Sequence, residues 1–493
     1  MQKAIVIGGG IGGLAVALRL RKAGLDVALF EKNSTIGGKM GEIRSKGFRF
    51  DTGPSLFTLP ELSDELFELF GKNPRDYFSY TKLENSCRYI FQDGTIVNAW
   101  ADTDRFTAEV HNVLNEPEEN LTTYLERYRK LYKTASPVFL FNAFQRWENF
   151  TKKEFRGMLF HLHELDSIKT MHKRNNKTFN SPKLVQIFDR YATYNGSDPF
   201  RAPATLNMIA HLEHNLGAYF PDRGIRSIAL SLEKLAIEEG IRIHTNSSVE
   251  KILHDGKKVT GIVCNSKEIN ADIIVSDADV RTVYMNMFEG IRPPKSIINK
   301  ELSSSALIFY WGVDFESDLD VHNILFAEVY KAEFKAIFKD KTLYHDPTVY
   351  IFISKKVVND DAPQGCENWF VMINVPANQN HNWDQLREDA RTMIQKKINK
   401  LLHVNISKHI VTENVADPVT IERNTSSFRG ALYGNSSNSM FAAFNRHANF
   451  STQFQNLWFT GGSVHPGGGI PLCIASAKIV ASEVDTYFLN QSI

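Results

Sequence analysis

The pattern of apolar and polar positions at the start of the chain predicts a strand, a helix and a second strand. Residues 4–7 are a short apolar run, and glycines occupy most of positions 8–13. Apolar residues then recur at helical spacing as far as Ala23, and a second apolar run at 27–30 ends at Glu31. Short apolar runs bounded by glycine are typical of buried strands, and the spacing between them is typical of a helix. The first thirty-odd residues therefore predict one complete βαβ unit.

The same alternation of strands and helices returns twice further along the chain. The pattern predicts a helix at 228–239, strands at 241–245, 249–254, 258–264, 271–276 and 457–460, and a helix from about 470 to 488. Two regions of different character lie between these segments. Residues 100–215 are predicted to be mostly helical, whereas 305–415 alternates strands such as 349–354 and 369–375 with a helix near 383–402.

Composition narrows the possible functions. With 57 basic and 56 acidic residues the formal net charge is +1, which gives no reason to expect a nucleic-acid partner. The four cysteines are too scattered to form a metal-binding or redox pair, so we expect buried free thiols in a reducing compartment and no metal site. The N-terminus lacks the long apolar segment of a signal peptide, and no apolar run is long enough to span a bilayer. We therefore expect a cytoplasmic protein, soluble or peripheral to a membrane.

The first glycine turn has the features of a dinucleotide-binding site. Gly8, Gly10 and Gly13 follow a predicted strand and open a predicted helix, whose N-terminal N–H groups and dipole favour phosphate. Glu31 ends the second strand, where an acidic side chain can bind a ribose. This arrangement does not distinguish NAD from FAD. The glycine pair at 37–38, followed by Lys39, lets the chain return beside the pyrophosphate and favours FAD.

The C-terminal segment carries a second glycine-rich turn. Glycines and prolines crowd residues 460–471 between a predicted strand and a predicted helix, so the backbone can approach a ligand closely. A helix N-terminus directed at the flavin ring would stabilise the negative charge of reduced flavin. His465 lies in this segment and is a candidate catalytic base, although a packing role that holds the turn is favoured. The turn at 53–55 is a further candidate for contact with the ring system.

These motifs resemble those of the phytoene-desaturase-type carotenoid desaturases over essentially the whole chain. The resemblance rests on the glycine turn with Glu31, the phrase at 50–55, the segment at 221–225 leading to Val249 and 276–279, and the ending at 462–471. Short phrases at 53–60 and 322–324 are more similar to the bacterial hydroxycarotenoid 3,4-desaturases. The resemblance implies that Glu31 binds the adenosine ribose and that Val249 contacts the adenine through its backbone. Ser463 stands where many flavoenzymes have an acidic residue.

Motifs and resemblance together predict the fold class and the cofactor contacts. We expect an α/β fold with a discontinuous Rossmann-like FAD-binding domain (1–85, 215–300 and 415–493) and an α+β substrate-binding domain (86–214 and 301–414). The predicted cofactor-binding residues are Gly8, Gly10, Ile11, Gly12, Gly13, Glu31, Lys32, Gly37, Gly38, Lys39, Gly53, Pro54, Ser55, Val249, Gly462, Ser463, Gly469, Ile470 and Pro471.

The substrate region suggests contact with a membrane. Residues near 136–170 combine many phenylalanines with nearby basic residues, a pattern found in helices at a membrane surface and also in ordinary core-facing helices. The family resemblance favours membrane contact at the inner face of the cell membrane, where a lipid-soluble polyene would be collected.

The resemblance implies a reaction that needs no strong acid–base pair. Hydride removal from an allylic C–H bond of a polyene leaves a delocalised cation, and oxygen or a quinone would reoxidise the flavin. The main hypothesis is therefore an FAD-dependent desaturase acting on a 1-hydroxycarotenoid at its 3,4 bond, and phytoene or neurosporene desaturation is the alternative within the family. A flavin amine oxidase and a non-catalytic lipid carrier of the same fold are the alternatives outside it.

Overall fold

The computed structural model describes residues 1–143, 145–146, 168–440 and 446–491. The strands are β1 (Lys3–Ile7), β2 (Asp26–Phe30), β3 (Glu42–Ser45), β4 (Phe48–Asp51), β5 (Tyr80–Lys82), β6 (Asn85–Ile90), β7 (Ile96–Trp100), β8 (Tyr219–Pro221), β9 (Arg242–His244), β10 (Val249–Asp255), β11 (Lys258–Cys264), β12 (Lys267–Asn270), β13 (Ile273–Ser276), β14 (Ser305–Val313), β15 (His322–Leu325), β16 (Val349–Ile353), β17 (Glu367–Val375), β18 (Ile410–Ala416) and β19 (Leu457–Phe459). The α-helices are α1 (Ile11–Lys22), α2 (Glu61–Glu68), α3 (Thr103–Leu114), α4 (Glu118–Phe139), α5 (Met171–Thr178), α6 (Pro182–Asp189), α7 (Met208–His211), α8 (Arg226–Glu238), α9 (Val280–Asn286), α10 (Lys295–Ile298), α11 (Tyr330–Lys335), α12 (Trp383–Leu402), α13 (Pro418–Thr425) and α14 (Ile470–Gln491).

A parallel sheet in the order β19-β13-β1-β2-β9 organises the two chain ends. Its strands are buried apolar runs, as expected for a parallel sheet covered on both faces. Helix α1 packs against α8 and α14, and its residues 11–20 are buried all round, so it lies between the sheet and the C-terminal helix. The carboxyl ends of β1, β2 and β13 meet at one edge of this sheet, where ligands of open α/β sheets bind.

A second sheet of mixed direction forms the other half of the core. Its order is β18-β14-β17-β16-β15-β6-β7, and all its neighbouring pairs are antiparallel except β15 with β6. Side chains alternate between its two faces along each strand. On one face, Leu307, Phe309 and Trp311 pack under α12. The alternate residues of the same strands, including Ile308 and Tyr310, are directed to the other side and meet the parallel sheet.

The helical region between residues 103 and 216 packs beside the second sheet. Helices α3, α4 and α6 surround an aromatic cluster that includes Tyr124, Phe179 and Phe188, whose ring centroids lie 4.5–4.9 Å apart. Short 3₁₀ and π-helical turns, Arg190–Asn195 and Leu212–Leu216, follow these helices and bring polar residues toward the sheet.

The predicted α/β fold, with parallel and antiparallel sheets, is confirmed, and the predicted elements agree with the structure to within two or three residues. The helix at Trp383–Leu402 has the predicted bounds, whereas the strand predicted at 241–245 is shorter. One expectation was wrong: Cys366 is half-buried rather than buried, unlike the other three free cysteines. The membrane-contact region predicted at 136–170 lies largely outside the described residues. Among the described helices, none is long and apolar enough to cross a bilayer.

Candidate active site

A cavity of about 820 Å³ lies between the two sheets. This volume is near the upper end of the ~300–1,000 Å³ typical of ligand clefts. At one end the cavity is lined by residues from the carboxyl ends of β1, β2 and β13, and at the other by alternate residues of β14, β15 and β17. The edge expected to hold a dinucleotide is therefore continuous with a chamber that is lined by the second sheet.

The first glycine turn keeps two backbone donors free for a phosphate. Gly10 caps α1 but has no side chain, and the Asp277 carboxylate from the end of β13 accepts the N–H groups of Gly10 and Gly13 instead. The N–H groups of Ile11 and Gly12 then have no partner within the described residues. Free N–H groups at a helix N-terminus, beside a turn without side chains, are the donors that a pyrophosphate requires.

Glycine is sterically required at the centre of this turn. A Cβ atom added to Gly13 would lie 2.0 Å from the Gly8 carbonyl oxygen, and one added to Gly10 would lie 2.4 Å from Asp277 Oδ2. Gly8 itself adopts a φ of +97°, which favours glycine. The tight packing of α1 on β1 therefore leaves no room for any larger residue at position 13.

Charged groups of both signs border the same turn. Glu31 is buried, and its two carboxylate oxygens accept the N–H groups of Gly9 and Asn33, each at 2.8 Å. The Lys39 ammonium donates to the Leu432 carbonyl at 2.6 Å, and burial lowers the pKa of Lys39 despite the nearby aspartates. The structure thus offers an acceptor suited to ribose hydroxyls and a cation suited to phosphate.

The C-terminal turn borders the cavity beside the first glycine turn, because a Cβ atom added to Gly12 would lie 3.0 Å from Gly461 Cα. Gly461, Gly467 and Gly469 all have positive φ, and the turn leads directly into α14 at Ile470. The Ser463 hydroxyl accepts the Val280 N–H at 3.1 Å and so ties the turn to α9. The N-terminus of α14 therefore lies at the cavity wall, as the sequence predicts for a helix directed at a flavin.

The structure brings most of the predicted cofactor-binding residues to this one cavity. Seventeen of them line it: Gly8, Gly10, Ile11, Glu31, Lys32, Gly37, Gly38, Lys39, Gly53, Pro54, Ser55, Val249, Gly462, Ser463, Gly469, Ile470 and Pro471. Gly12 and Gly13 lie behind them in the first turn of α1. The donors, the acid and the cation fit the phosphates and ribose of FAD, while the contacts of individual residues stay a prediction.

His465, the candidate base, does not line the cavity within the described structure. Its side chain is buried, and Nε2 lies 3.2 Å from the Asn142 carbonyl oxygen. Burial lowers the pKa of His465 to about 3, so the imidazole is neutral. This position favours the packing role over the catalytic one.

The sequence analysis did not find a polar network on the chamber side of the cavity. The Ser55 and Tyr350 hydroxyls lie 2.6 Å apart, and the Tyr350 hydroxyl lies 2.7 Å from His322 Nδ1. Nearby, the Arg190 guanidinium lies 3.3 Å from a Glu213 carboxylate oxygen. Burial opposes ionisation of Glu213, but the Arg190 charge and the hydrogen bonds from the Tyr194 and Tyr191 hydroxyls contribute to a net lowering of the pKa of Glu213.

Ser55 and His322 lie in the phrases at 53–60 and 322–324 that the sequence analysis used, whereas Arg190 and Glu213 carry no signal that a sequence pattern could detect. Arg190 and Glu213 are 23 positions apart and lie in irregular 3₁₀ and π-helical turns, so no helical spacing links them. Asp277 did have a signal, because it directly follows a buried strand and belongs to the phrase at 276–279. Its role as a cap for a distant helix depends on the neighbouring strand order, which the sequence analysis did not specify.

Comparison with known proteins identifies the family of the chain. Residues 11–485 match the family model of flavin-containing amine oxidoreductases. The chain is 46% identical over 482 residues to the 1-hydroxycarotenoid 3,4-desaturase of Flavobacterium sp. strain P99-3, with 98% of each chain covered. It is 33% identical to the 4,4'-diaponeurosporene oxygenase of Staphylococcus aureus strain MW2, covering 98% of this chain and 97% of that one.

The solved structures that resemble the chain support the fold. An oxidoreductase from Methanosarcina mazei superposes with a TM-score of 0.64 at 16% identity, covering 98% of this chain and 100% of that one. Putrescine oxidase bound to putrescine gives a TM-score of 0.64 at 11% identity, covering 98% and 99%. The resemblance to carotenoid desaturases predicted from the sequence is confirmed by the extent of the matches. The chain therefore belongs to the flavin-containing amine oxidoreductase family, and within it to the carotenoid desaturases, as an FAD-dependent oxidoreductase.

Proposed function

We propose that this protein desaturates a 1-hydroxycarotenoid at its 3,4 bond. The observation that carries the proposal is the continuous cavity, which joins the FAD-binding edge of the parallel sheet to a chamber lined by Ile308, Ile324 and Met372. The Flavobacterium relative, whose name states this reaction, matches the chain along its full length. Bound FAD would supply two-electron oxidation of a C–H bond.

The residues that line the chamber would orient the substrate and exclude water from it. The apolar wall formed by β14, β15 and β17 would hold the polyene against the 53–55 turn, where the flavin ring is predicted to lie. Holding one C–H bond in reacting geometry supplies much of the rate enhancement when the proton is lost easily afterwards. No residue is assigned as a strong base, in agreement with the pKa of His322, which burial lowers to about 4 and which makes its imidazole a weak base.

The amine oxidase alternative is less well supported by the same cavity. A cationic amine would require a carboxylate with free acceptor capacity in the chamber. Glu213 already accepts hydrogen bonds from Arg190, Tyr191 and Tyr194, at 2.6–3.3 Å. The charge of Glu213 is thus balanced, and the chamber favours a neutral substrate.

The same proposal includes the division of the chain and its location in the cell. The parallel sheet is built only from strands of the three segments assigned to the FAD-binding domain, which supports boundaries near 85, 215, 300 and 415. We place the protein at the inner face of the cell membrane because a polyene of this length is insoluble in water. Ile168, near the C-terminal end of the proposed contact region, is 90% exposed. Sedimentation with vesicles of anionic lipid would show this association, and recovery in the supernatant would contradict it.

Expression in a carotenoid-free host tests the activity. The host would carry genes that supply either phytoene or a 1-hydroxylated carotene, and pigments would be separated by chromatography. A red-shifted product from the hydroxycarotene alone supports the proposal, and a product from phytoene moves the protein to the alternative desaturase. No product from either, despite bound flavin, would contradict carotenoid desaturation. Gly13→Ala is the matched inactive control, and anaerobic assays with added quinone identify the electron acceptor.

A further inference from the structure

Three polar side chains interrupt the apolar wall of the chamber. Ser86, Arg190 and His322 line the cavity and are 2%, 7% and 3% exposed. Each has one atom without a hydrogen-bond partner within the described part of the chain, namely Ser86 Oγ, Arg190 Nε and His322 Nε2. A buried polar group left unpaired costs about 1–3 kcal/mol, so three such atoms that face one cavity indicate a ligand that pairs with them. These three residues, here named the polar patch, therefore indicate that the ligand of the chamber carries a polar group.

The chemistry of the polar patch favours a neutral group. The Arg190 charge is balanced by Glu213, which in turn accepts hydrogen bonds from the Tyr191 and Tyr194 hydroxyls. Burial lowers the pKa of His322 to about 4, so its imidazole is neutral at physiological pH. Arg190 Nε can only donate, whereas a serine hydroxyl and a neutral imidazole nitrogen can complement a partner of either kind. A hydroxyl group, which donates and accepts, suits all three.

The position of the polar patch matches the chemistry of the proposed substrate. His322 is connected through the Tyr350 hydroxyl to Ser55, with distances of 2.7 and 2.6 Å, and Ser55 belongs to the turn predicted to hold the flavin ring. In a 1-hydroxycarotenoid, only two C–C bonds, of about 1.5 Å each, separate the hydroxylated carbon from C3. A hydroxyl on C1 must therefore lie beside the site of oxidation, and not at the distant end of the chamber.

We propose that Ser86, Arg190 and His322 form a hydroxyl-recognition pocket that selects carotenoids bearing a hydroxyl group next to the bond to be oxidised. This inference rests on the proposed function and extends it to specificity. A hydrocarbon polyene in the same chamber would leave the three polar atoms unpaired. Sites that hydrogen-bond a substrate hydroxyl can reject the analogue without it by up to ~10⁴–10⁵-fold.

The test compares two substrates that differ only in the hydroxyl group. We expect the purified, FAD-loaded enzyme to prefer the 1-hydroxycarotenoid over the same polyene without the hydroxyl by at least about 100-fold in kcat/KM. Ser86→Ala should reduce this preference about tenfold by lowering kcat/KM for the hydroxylated substrate alone. His322→Phe, which keeps the ring packing, should act in the same direction. Flavin absorbance and thermal unfolding show that each variant is folded and loaded.

Ser63→Ala is the matched control. Ser63 is also fully buried, and its Oγ likewise has no partner in the described structure, but the residue lies on α2 and does not line the cavity. Its substitution should leave the preference unchanged. Equal loss on both substrates in Ser86→Ala, or a wild-type enzyme with no preference, would refute the pocket while carotenoid desaturation stands. A wild-type enzyme inactive on both substrates would refute the proposed function and the pocket with it.

Discussion

The Asp277 carboxyl group makes the stability of the protein depend on pH in a direction that can be measured. Burial raises the pKa of Asp277 to about 7 from an ordinary value of 3.8, and the nearby Glu31 carboxylate adds to this effect. The hydrogen bonds from Gly10 and Gly13 favour the charged form but do not compensate. The substitution Asp277→Asn keeps the shape of the side chain and an oxygen that accepts these N–H groups, and it removes the carboxyl group that titrates.

The magnitude follows from the size of the pKa shift. A group whose pKa is raised in the folded state stabilises the fold at pH values below its unfolded pKa, and this stability is lost as the pH rises through the folded pKa. A rise from 3.8 to about 7 corresponds to about 4 kcal/mol of penalty for the ionised group above pH 7. The side chain is half-buried and lines the cavity, where water reduces the penalty in the cofactor-free protein. The cofactor-free protein is the form to measure, because the negative phosphates of bound FAD would add their own effect on the pKa of Asp277, and about 4 kcal/mol is the upper value of the penalty.

Denaturant unfolding between pH 5 and pH 8 is the assay. Asp277→Asn should be more stable than wild type at pH 8, and the difference should shrink by about 2.5 kcal/mol at pH 5, where wild-type Asp277 is protonated in the fold. Asp255→Asn, at the exposed end of β10, is the matched control for the chemical change itself. Parallel pH profiles for wild type and Asp277→Asn would refute the reasoning.

Three further predictions concern the same edge of the parallel sheet and the cysteines. Gly13→Ala should abolish FAD retention and lower the free energy of unfolding by more than the ~1–3 kcal/mol of ordinary overpacking, because the new Cβ would lie 2.0 Å from the Gly8 carbonyl oxygen. Flavin absorbance after gel filtration measures FAD retention, and a variant that keeps its FAD would contradict the prediction. Glu31→Gln should weaken FAD binding about 10–100-fold, since a charged acceptor is replaced by a neutral one. Titration of the apoprotein with FAD measures the Kd, and an unchanged Kd would refute the role of Glu31 in binding the ribose. Cys366 should react with iodoacetamide at least about tenfold faster than the three buried cysteines, because access of the reagent governs thiol alkylation. Peptide mass spectrometry measures the rate at each cysteine, and equal rates at all four would contradict the buried positions.

Local signals in the sequence were enough to predict the edge of the parallel sheet at which we expect FAD to bind. The glycine turns at both chain ends and Glu31 each depend on residues adjacent in the chain, because the backbone itself must approach the cofactor. The βαβ unit at the N-terminus was predictable for the same reason, since its strands are short apolar runs with glycines at their ends. Seventeen of the predicted residues consequently line one cavity.

Only the tertiary structure shows that the polar residues of the chamber share one cavity. Ser86, Arg190 and His322 come from a strand, a 3₁₀ turn and another strand, and they line one cavity only because β15 pairs with β6 and the helical region packs beside that sheet. Asp277 caps α1 only because β13 lies next to β1. The sequence by itself determined the cofactor and the fold class, because those depend on short-range backbone geometry. The tertiary structure decided which distant polar side chains share the buried chamber, because their contacts depend on strand order and sheet packing that no local pattern encodes.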